Sequence, residues 1–146
     1  MVTAARRLVA ALWAGSLWAL GYLAAPTLFA NLDSMRAGEM VGKLLHNEAW
    51  LSIGCALAML ALPRFSPELD ARRHRLLNVL ALAMLACTLV VYLGLQPVMA
   101  HLRELAGPAG VRGSPQWTRF AVLHGVSQLV YVIESVLAAI LVVKNR

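Results

Sequence analysis

Residues 76–100 read LLNVLALAMLACTLVVYLGLQPVMA and contain no charged side chain. An α-helix needs roughly 20 apolar residues to cross the hydrocarbon core of a bilayer, so this run is long enough to span it. The strands of a membrane β-barrel alternate between apolar and polar residues, and this run does not alternate. It therefore predicts a transmembrane helix.

Three further runs of the same kind, 8–32, about 44–62 and 120–143, occupy most of the remaining chain. Apolar residues make up 60% of the sequence and charged residues only 14%, which is far from the composition of a soluble domain. Only helices and closed barrels satisfy their backbone groups in lipid. We therefore predict an all-α membrane protein, a four-transmembrane-helix bundle in a single integral membrane domain (1–146), with helices at about 8–32, 36–62, 67–100 and 115–143.

Two serine-proline pairs mark expected helix starts. Ser66, Pro67 and Glu68 place a capping hydroxyl before a proline that suits the first helical position. Ser114, Pro115 and Gln116 repeat this order ahead of the fourth run. At the first outer connection, the second helix could begin as early as residue 34, which would make that connection very tight.

The net charge of +6 is distributed unevenly between the two sides. Basic residues concentrate at both ends of the chain and between the second and third runs: Arg6, Arg7, Arg64, Arg72, Arg73, Arg75, Lys144 and Arg146. Positively charged loops stay in the cytoplasm, so both termini are expected there, in a multi-pass protein of the bacterial inner (plasma) membrane. The basic loops are too short and scattered for a nucleic-acid surface, and we expect no nucleic-acid partner.

Small residues recur four apart on the first two helices, as in Ala11, Gly15 and Ala19, and in Gly54 and Ala58. Such spacing lets helix backbones approach closely in lipid. We favour contacts within the bundle over a homodimer, although the bilayer, a second copy and other membrane proteins all stand as expected partners.

Polar side chains inside the runs are expensive in lipid and are usually paired or functional. Several of them fall toward the predicted outer side, and we expect them to form an outward-facing polar pocket. The pocket or ligand residues are Pro26, Glu48, Gln96, Ser127, Gln128, Tyr131 and Glu134. Glu134 lies near mid-membrane, where burial favours the neutral form of a carboxyl, and either a buried hydrogen bond or a proton relay explains it.

A metal site is the alternative use of the same end of the bundle. Imidazoles and thioethers suit copper, and the candidate ligands are His46, His101, His124 and Met99. They show no close ligand spacing, and methionines also serve as ordinary apolar packing residues. A copper or haem cofactor is thus an alternative to the main expectation, which is no cofactor.

Short motifs resemble a known family along nearly the whole chain. They are Gly21-Tyr22-x-x-Ala25-Pro26-x-Leu28-Phe29-Ala30, Ala37-Gly38-x-x-Val41-Gly42 and His124-Gly125-x-Ser127. These segments resemble the bacterial domain of unknown function 4149, which includes homologues of the eukaryotic transmembrane protein 205. The resemblance implies a small inner-membrane protein whose functional residues include Pro26, Gln96 and His124.

The first helix is also distantly similar to that of CopD copper-resistance proteins and HemJ-type protoporphyrinogen oxidases. The shared segment is Trp18-x-x-Gly21-Tyr22-x-x-x-Pro26-x-Leu28-Phe29. HemJ-type enzymes bind haem through an intramembrane histidine, and the first helix of this chain has none.

The sequence contains no glycine-rich phosphate loop, zinc spacing or nucleophile motif. We therefore expect a non-enzymatic scaffold or partner of other membrane proteins. The alternatives are periplasm-facing copper or other metal handling, proton-coupled small-molecule transport by an oligomer, and a haem-dependent oxidase.

Overall fold

The structure, a computed structural model, describes residues 1–66 and 69–145. Four helices are long and apolar enough to cross a membrane. They are α1 (Val2–Asn31), α2 (Ser34–Phe65), α3 (Ala71–Ala106) and α4 (Trp117–Lys144). The predicted all-α, four-helix architecture is confirmed, and the chain is a multi-pass membrane protein.

The four helices run up and down and close into a ring. Each packs against the next along the chain, and α4 packs back against α1. In this arrangement α1 lies diagonally opposite α3, and α2 lies diagonally opposite α4. Side chains that point inward from α2 and α4 can therefore meet only across the centre of the bundle.

The connection from α1 to α2 is as short as predicted, because α1 ends at Asn31 and α2 begins at Ser34. Asp33 caps α2, because its side chain accepts a hydrogen bond of 3.0 Å from the backbone N–H of Arg36. The connection from α3 to α4 is longer and contains two short 3₁₀ turns, Gly107–Ala109 and Val111–Gly113. Gly107 and Gly110 take positive φ values of 65° and 77°, which favour glycine.

The described helix starts lie a few residues beyond the serine-proline pairs. The third helix begins at Ala71, where Asp70 caps it through a bond of 2.6 Å from the N–H of Arg73; the start expected at Pro67 and Glu68 lies outside the described residues. The fourth helix begins at Trp117, without a side-chain cap. There Ser114 accepts from the N–H of Gln116 in a turn that precedes the helix. The third helix also extends to Ala106, beyond the predicted end at residue 100.

Two wide turns interrupt α1 and α3. Residues Ala19–Ala24 and Val90–Leu95 are π-helical, and a proline follows each segment, Pro26 and Pro97. In each case the residue before the proline donates to the carbonyl five residues back. A proline has no N–H, and its ring clashes with the carbonyl four residues back in an ordinary α-helix. The wide turn accommodates that ring without breaking the helix, which accounts for both interruptions.

The apolar core fills one half of the bundle. We call the end that carries Val2, Phe65, Ala71 and Lys144 the basic end. The core residues lie between this end and the bundle centre: Ala10, Trp13, Ala14, Leu17, Cys55, Ala56, Met59, Leu77, Leu80, Ala81, Met84, Ala138 and Leu141. Arg6, Ser66 and Asn145 are buried beyond them at the basic end, where the Asn145 side chain donates to the Arg6 carbonyl at 3.0 Å.

The opposite half is packed more sparsely, with few buried side chains, among them Ala37, Met99 and Leu102. The small residues behave differently from expectation. Gly15 and Gly54 lie on the outer surface, with no atom near enough to contact an added Cβ, so they do not serve contacts within the bundle. Gly21 is the exception, because it packs directly against the ring of Tyr131.

Candidate functional site

A small cavity lies in the middle of the bundle, at the boundary between its densely and sparsely packed halves. Its volume is about 30 Å³, and all four helices line it. The lining residues are Leu17, Leu45, Glu48, Ala49, Ser52, Thr88, Val91, Tyr92, Gln96, Tyr131 and Glu134. A cavity of roughly 10–15 Å³ can hold one water molecule, so this one has room for about two.

The cavity lies deeper than the sequence suggested. Glu48 is near the middle of α2, Thr88 near the middle of α3, and Tyr131 near the middle of α4. We expected an outward-facing pocket because several polar residues lie toward that side of the runs. The structure instead brings the polar groups of the cavity together at mid-depth.

Two carboxyl groups from diagonally opposite helices line this one cavity. Glu48 reaches it from α2, and Glu134 reaches it from α4, where its side chain is almost completely buried. No lysine or arginine of the described residues lines the cavity with them. The other carboxylate of α2, Glu39, is exposed and pairs with Lys43 at 2.8 Å.

Each carboxyl accepts a hydrogen bond from a hydroxyl on the neighbouring helix. Ser16 of α1 lies 3.0 Å from Glu48 Oε1. Thr88 of α3 lies 2.7 Å from Glu134 Oε1. Ser52 is also placed to bond Glu48, and its own oxygen accepts from Trp13 Nε1 at 2.9 Å.

Side-chain hydrogen bonds join every neighbouring pair of helices around the ring. The serine and threonine bonds to the carboxyls join α1 to α2 and α3 to α4. Tyr131 of α4 donates to the Leu17 carbonyl of α1. His46 of α2 lies 3.1 Å from the Tyr92 hydroxyl of α3. We call these hydrogen-bonded side chains, together with Trp13 and Ser52, the polar layer. The polar layer joins all four helices near the depth of the cavity.

The two helical hairpins, α1 with α2 and α3 with α4, have the same arrangement of polar residues and wide turns. The first helix of each, α1 or α3, carries a hydroxyl and then a π turn followed by a proline. The second helix of each, α2 or α4, carries the glutamate that the hydroxyl contacts. Repeats related by an axis along the membrane normal are a known way to build membrane proteins around a central site.

The structure divides the predicted pocket residues into two groups. Glu48, Gln96, Tyr131 and Glu134 line the cavity together. Three others lie elsewhere: Pro26 and Gln128 are exposed, and Ser127 donates to the carbonyl of His124 at 2.8 Å.

The predicted metal ligands are spread over separate surfaces. His124 stacks on Phe120 at 5.9 Å between ring centroids, and His101 lies beside Glu104 on the exposed side of α3. His46 contacts Tyr92, while Met99 is buried. Within residues 1–66 and 69–145, no three histidine, cysteine, aspartate or glutamate side chains cluster closely enough to hold a metal ion.

Five residues of the polar layer were missed from the sequence: Trp13, Ser16, Ser52, Thr88 and Tyr92. Each is an isolated polar group inside a long apolar run. The sequence therefore indicated only that each needs a hydrogen-bond partner within the bundle. The identity of that partner depends on which helices are neighbours, and a single sequence does not give this.

The sequence of this chain, rather than its geometry, matches a known family. No curated protein and no solved structure matches the chain. Residues 8–107 match the model of the family described as a domain of unknown function (DUF4149). This match spans α1, α2 and α3, and with them Glu48, Thr88 and Gln96. The chain therefore belongs to the DUF4149 family.

Proposed function

We propose that this protein binds protons reversibly at the centre of the membrane and uses them to drive small-molecule transport as an oligomer. The observation that carries the proposal is that Glu48 and Glu134 line one water-sized cavity at mid-depth. Intramembrane carboxyl groups mark proton pathways in pumps and transporters because they are costly to keep without a use. Two such groups facing one cavity allow a proton to pass between them or through a water.

A route to the cavity is available from the sparsely packed half. Tyr92 lines the cavity, and its hydroxyl contacts the exposed ring of His46. His46 and Tyr92 thus form the proton entrance in this proposal.

The small size of the cavity is the reason why the proposal requires an oligomer. A space of about 30 Å³ admits a proton or water and excludes a larger molecule. A transported molecule therefore passes where copies of the chain meet. Gly15 and Gly54 on the outer surface allow close approach of a second copy.

Replacing Glu134 with glutamine is expected to abolish proton flux. The amide keeps the shape and a partner for Thr88, but it cannot take up a proton at neutral pH. The full chain is reconstituted in liposomes, a potassium gradient with valinomycin sets the membrane potential, and an internal dye reports pH. Flux should exceed that of protein-free liposomes for the native chain and fall to that level for Glu134→Gln and Glu48→Gln.

The matched control is Glu39→Gln, on the same helix as Glu48 but outside the cavity, which should leave the flux unchanged. Equal flux in the native chain and Glu134→Gln would overturn the proposal. So would a native chain whose flux does not exceed that of protein-free liposomes.

A scaffold is the second candidate function, and the ring of side-chain hydrogen bonds favours it. In this case the polar layer fixes the helix positions and presents a constant surface to another membrane protein. Glu134→Ala, which removes the partner of Thr88, would then lower the stability of the bundle in detergent, and the native chain would carry no proton flux.

A further inference from the structure

The two hydroxyls beside the carboxyls share one feature of their hydrogen bonding. Thr88 Oγ1 lies 2.7 Å from Glu134 Oε1 and also 3.2 Å from the Met84 carbonyl of its own helix. Ser16 Oγ lies 3.0 Å from Glu48 Oε1 and also 3.1 Å from the Trp13 carbonyl. Each hydroxyl thus faces two acceptors, a carboxyl and a backbone carbonyl.

A hydroxyl has one proton to donate but can also accept, so its two contacts cannot both be ordinary donations. With an ionised carboxylate, the hydroxyl donates to it and leaves the backbone carbonyl. With a protonated carboxyl, the acid O–H donates to the hydroxyl oxygen, and the hydroxyl donates to the carbonyl. Either protonation state therefore keeps a hydrogen bond between the carboxyl and the hydroxyl in the same structure.

This matters because an unsatisfied buried polar group costs about 1–3 kcal/mol, and more when it is charged. A carboxyl with a fixed donor is held in its ionised form, and one with a fixed acceptor is held in its neutral form. A hydroxyl that can rotate favours neither protonation state. The carboxyl can therefore gain and lose a proton without a rearrangement of the helices.

We propose that Thr88 and Ser16 are positioning residues whose hydroxyls turn between the carboxyl and the backbone carbonyl as Glu134 and Glu48 gain or lose a proton. The inference rests on the proposed function, since it explains how that site accepts and releases protons. Its occurrence in both hairpins, on diagonally opposite sides of one cavity, is the independent repetition that supports it.

The other titratable groups near the pair do not replace these hydroxyls. Cys55 of α2 lies near Glu48, and Cys87 of α3 lies near Glu134. Tyr131 of α4 faces both carboxyls, but its proton is committed to the Leu17 carbonyl. From α1, Tyr22 contacts the Tyr131 ring edge-on.

The test is infrared difference spectroscopy of the full chain in lipid bilayers between two pH values. The carbonyl band of Glu134 is identified as the one that Glu134→Gln removes. In Thr88→Val, which keeps the shape and loses the hydroxyl, the amplitude of this pH-dependent band should fall to a small fraction of its native value. Thr88→Ser should restore it, and proton flux should follow the band.

The chain offers a matched control for each hydroxyl. Thr27 donates to the Leu23 carbonyl at 2.7 Å, as Thr88 does to its own helix, and Ser127 donates to the His124 carbonyl as Ser16 does to Trp13. No carboxyl is among their hydrogen-bond partners, so Thr27→Val and Ser127→Ala should leave the Glu134 and Glu48 bands unchanged. Ser16→Ala should reduce only the Glu48 band, which is identified as the one that Glu48→Gln removes.

The outcomes separate this inference from the proposed function. A Glu134 band and a flux that are both unchanged in Thr88→Val would overturn the role of Thr88 and leave proton binding at Glu134 standing. A native chain with no pH-dependent band that Glu134→Gln removes would overturn both. Loss of the band in Thr88→Ser as well as in Thr88→Val would show a packing effect and overturn the role of the hydroxyl.

Discussion

Replacing Trp13 with alanine is expected to lower the free energy of unfolding by about 3 kcal/mol, the lower end of the range for tryptophan in soluble cores. Trp13 is fully buried, and its indole N–H donates to Ser52. The lower end applies because lipid is itself apolar, so the loss comes from packing and the hydrogen bond rather than from transfer into water. Unfolding in a denaturing detergent, followed by circular dichroism, measures the change.

Trp50 supplies the control for this substitution, because it lies on the exposed side of α2 with 59% of its surface accessible. Trp50→Ala leaves no cavity and should cost less than about 1 kcal/mol. Trp13→Phe separates packing from hydrogen bonding, since it fills most of the volume without the N–H. Similar costs for Trp13→Ala and Trp50→Ala would contradict the position of Trp13 in the core.

Replacing Gly21 with alanine is the second large effect we expect, a loss of about 1–3 kcal/mol in the free energy of unfolding. A Cβ at this position would overlap the ring of Tyr131. The ring must then move, and its hydroxyl loses the bond to the Leu17 carbonyl that joins α4 to α1. The same detergent unfolding experiment detects the loss.

A double substitution tests that mechanism directly. In a Tyr131→Ala background the obstacle is gone, and Gly21→Ala should become neutral or stabilising by up to about 1 kcal/mol, because alanine favours helix over glycine. Gly125→Ala, in α4 with open space around its Cα, should behave in the same way in the native chain. A Gly21→Ala cost that persists without the Tyr131 ring would point to a different cause.

The fold was predictable because the length and composition of an apolar run are enough to identify a membrane-spanning helix. The runs that contain Gln96 and Glu134 could be recognised without knowing which helices they contact, and all four predicted runs form helices. The ends were harder to predict, since Ser66 and Asp70 are both good capping residues a few positions apart and only the folded chain shows that Asp70 is used.

The site was predictable only in part. Glu48 and Glu134 stood out because a carboxyl in an apolar run needs an explanation, and both line the cavity. His124 drew the same attention, but it stacks on Phe120 outside the cavity. Its place depended on the rotation of α4 about its own axis, which the polar residues of one helix did not determine.

The wide turns before Pro26 and Pro97 also bear on how this chain is compared with others. A π turn holds one residue more than an α turn, so everything beyond it is rotated by about 100° relative to an uninterrupted helix. Each of these turns behaves as a single inserted residue. Alignments that forbid gaps inside helices will pair the wrong faces of α1 and α3 beyond these points, whereas one gap in each restores the correspondence.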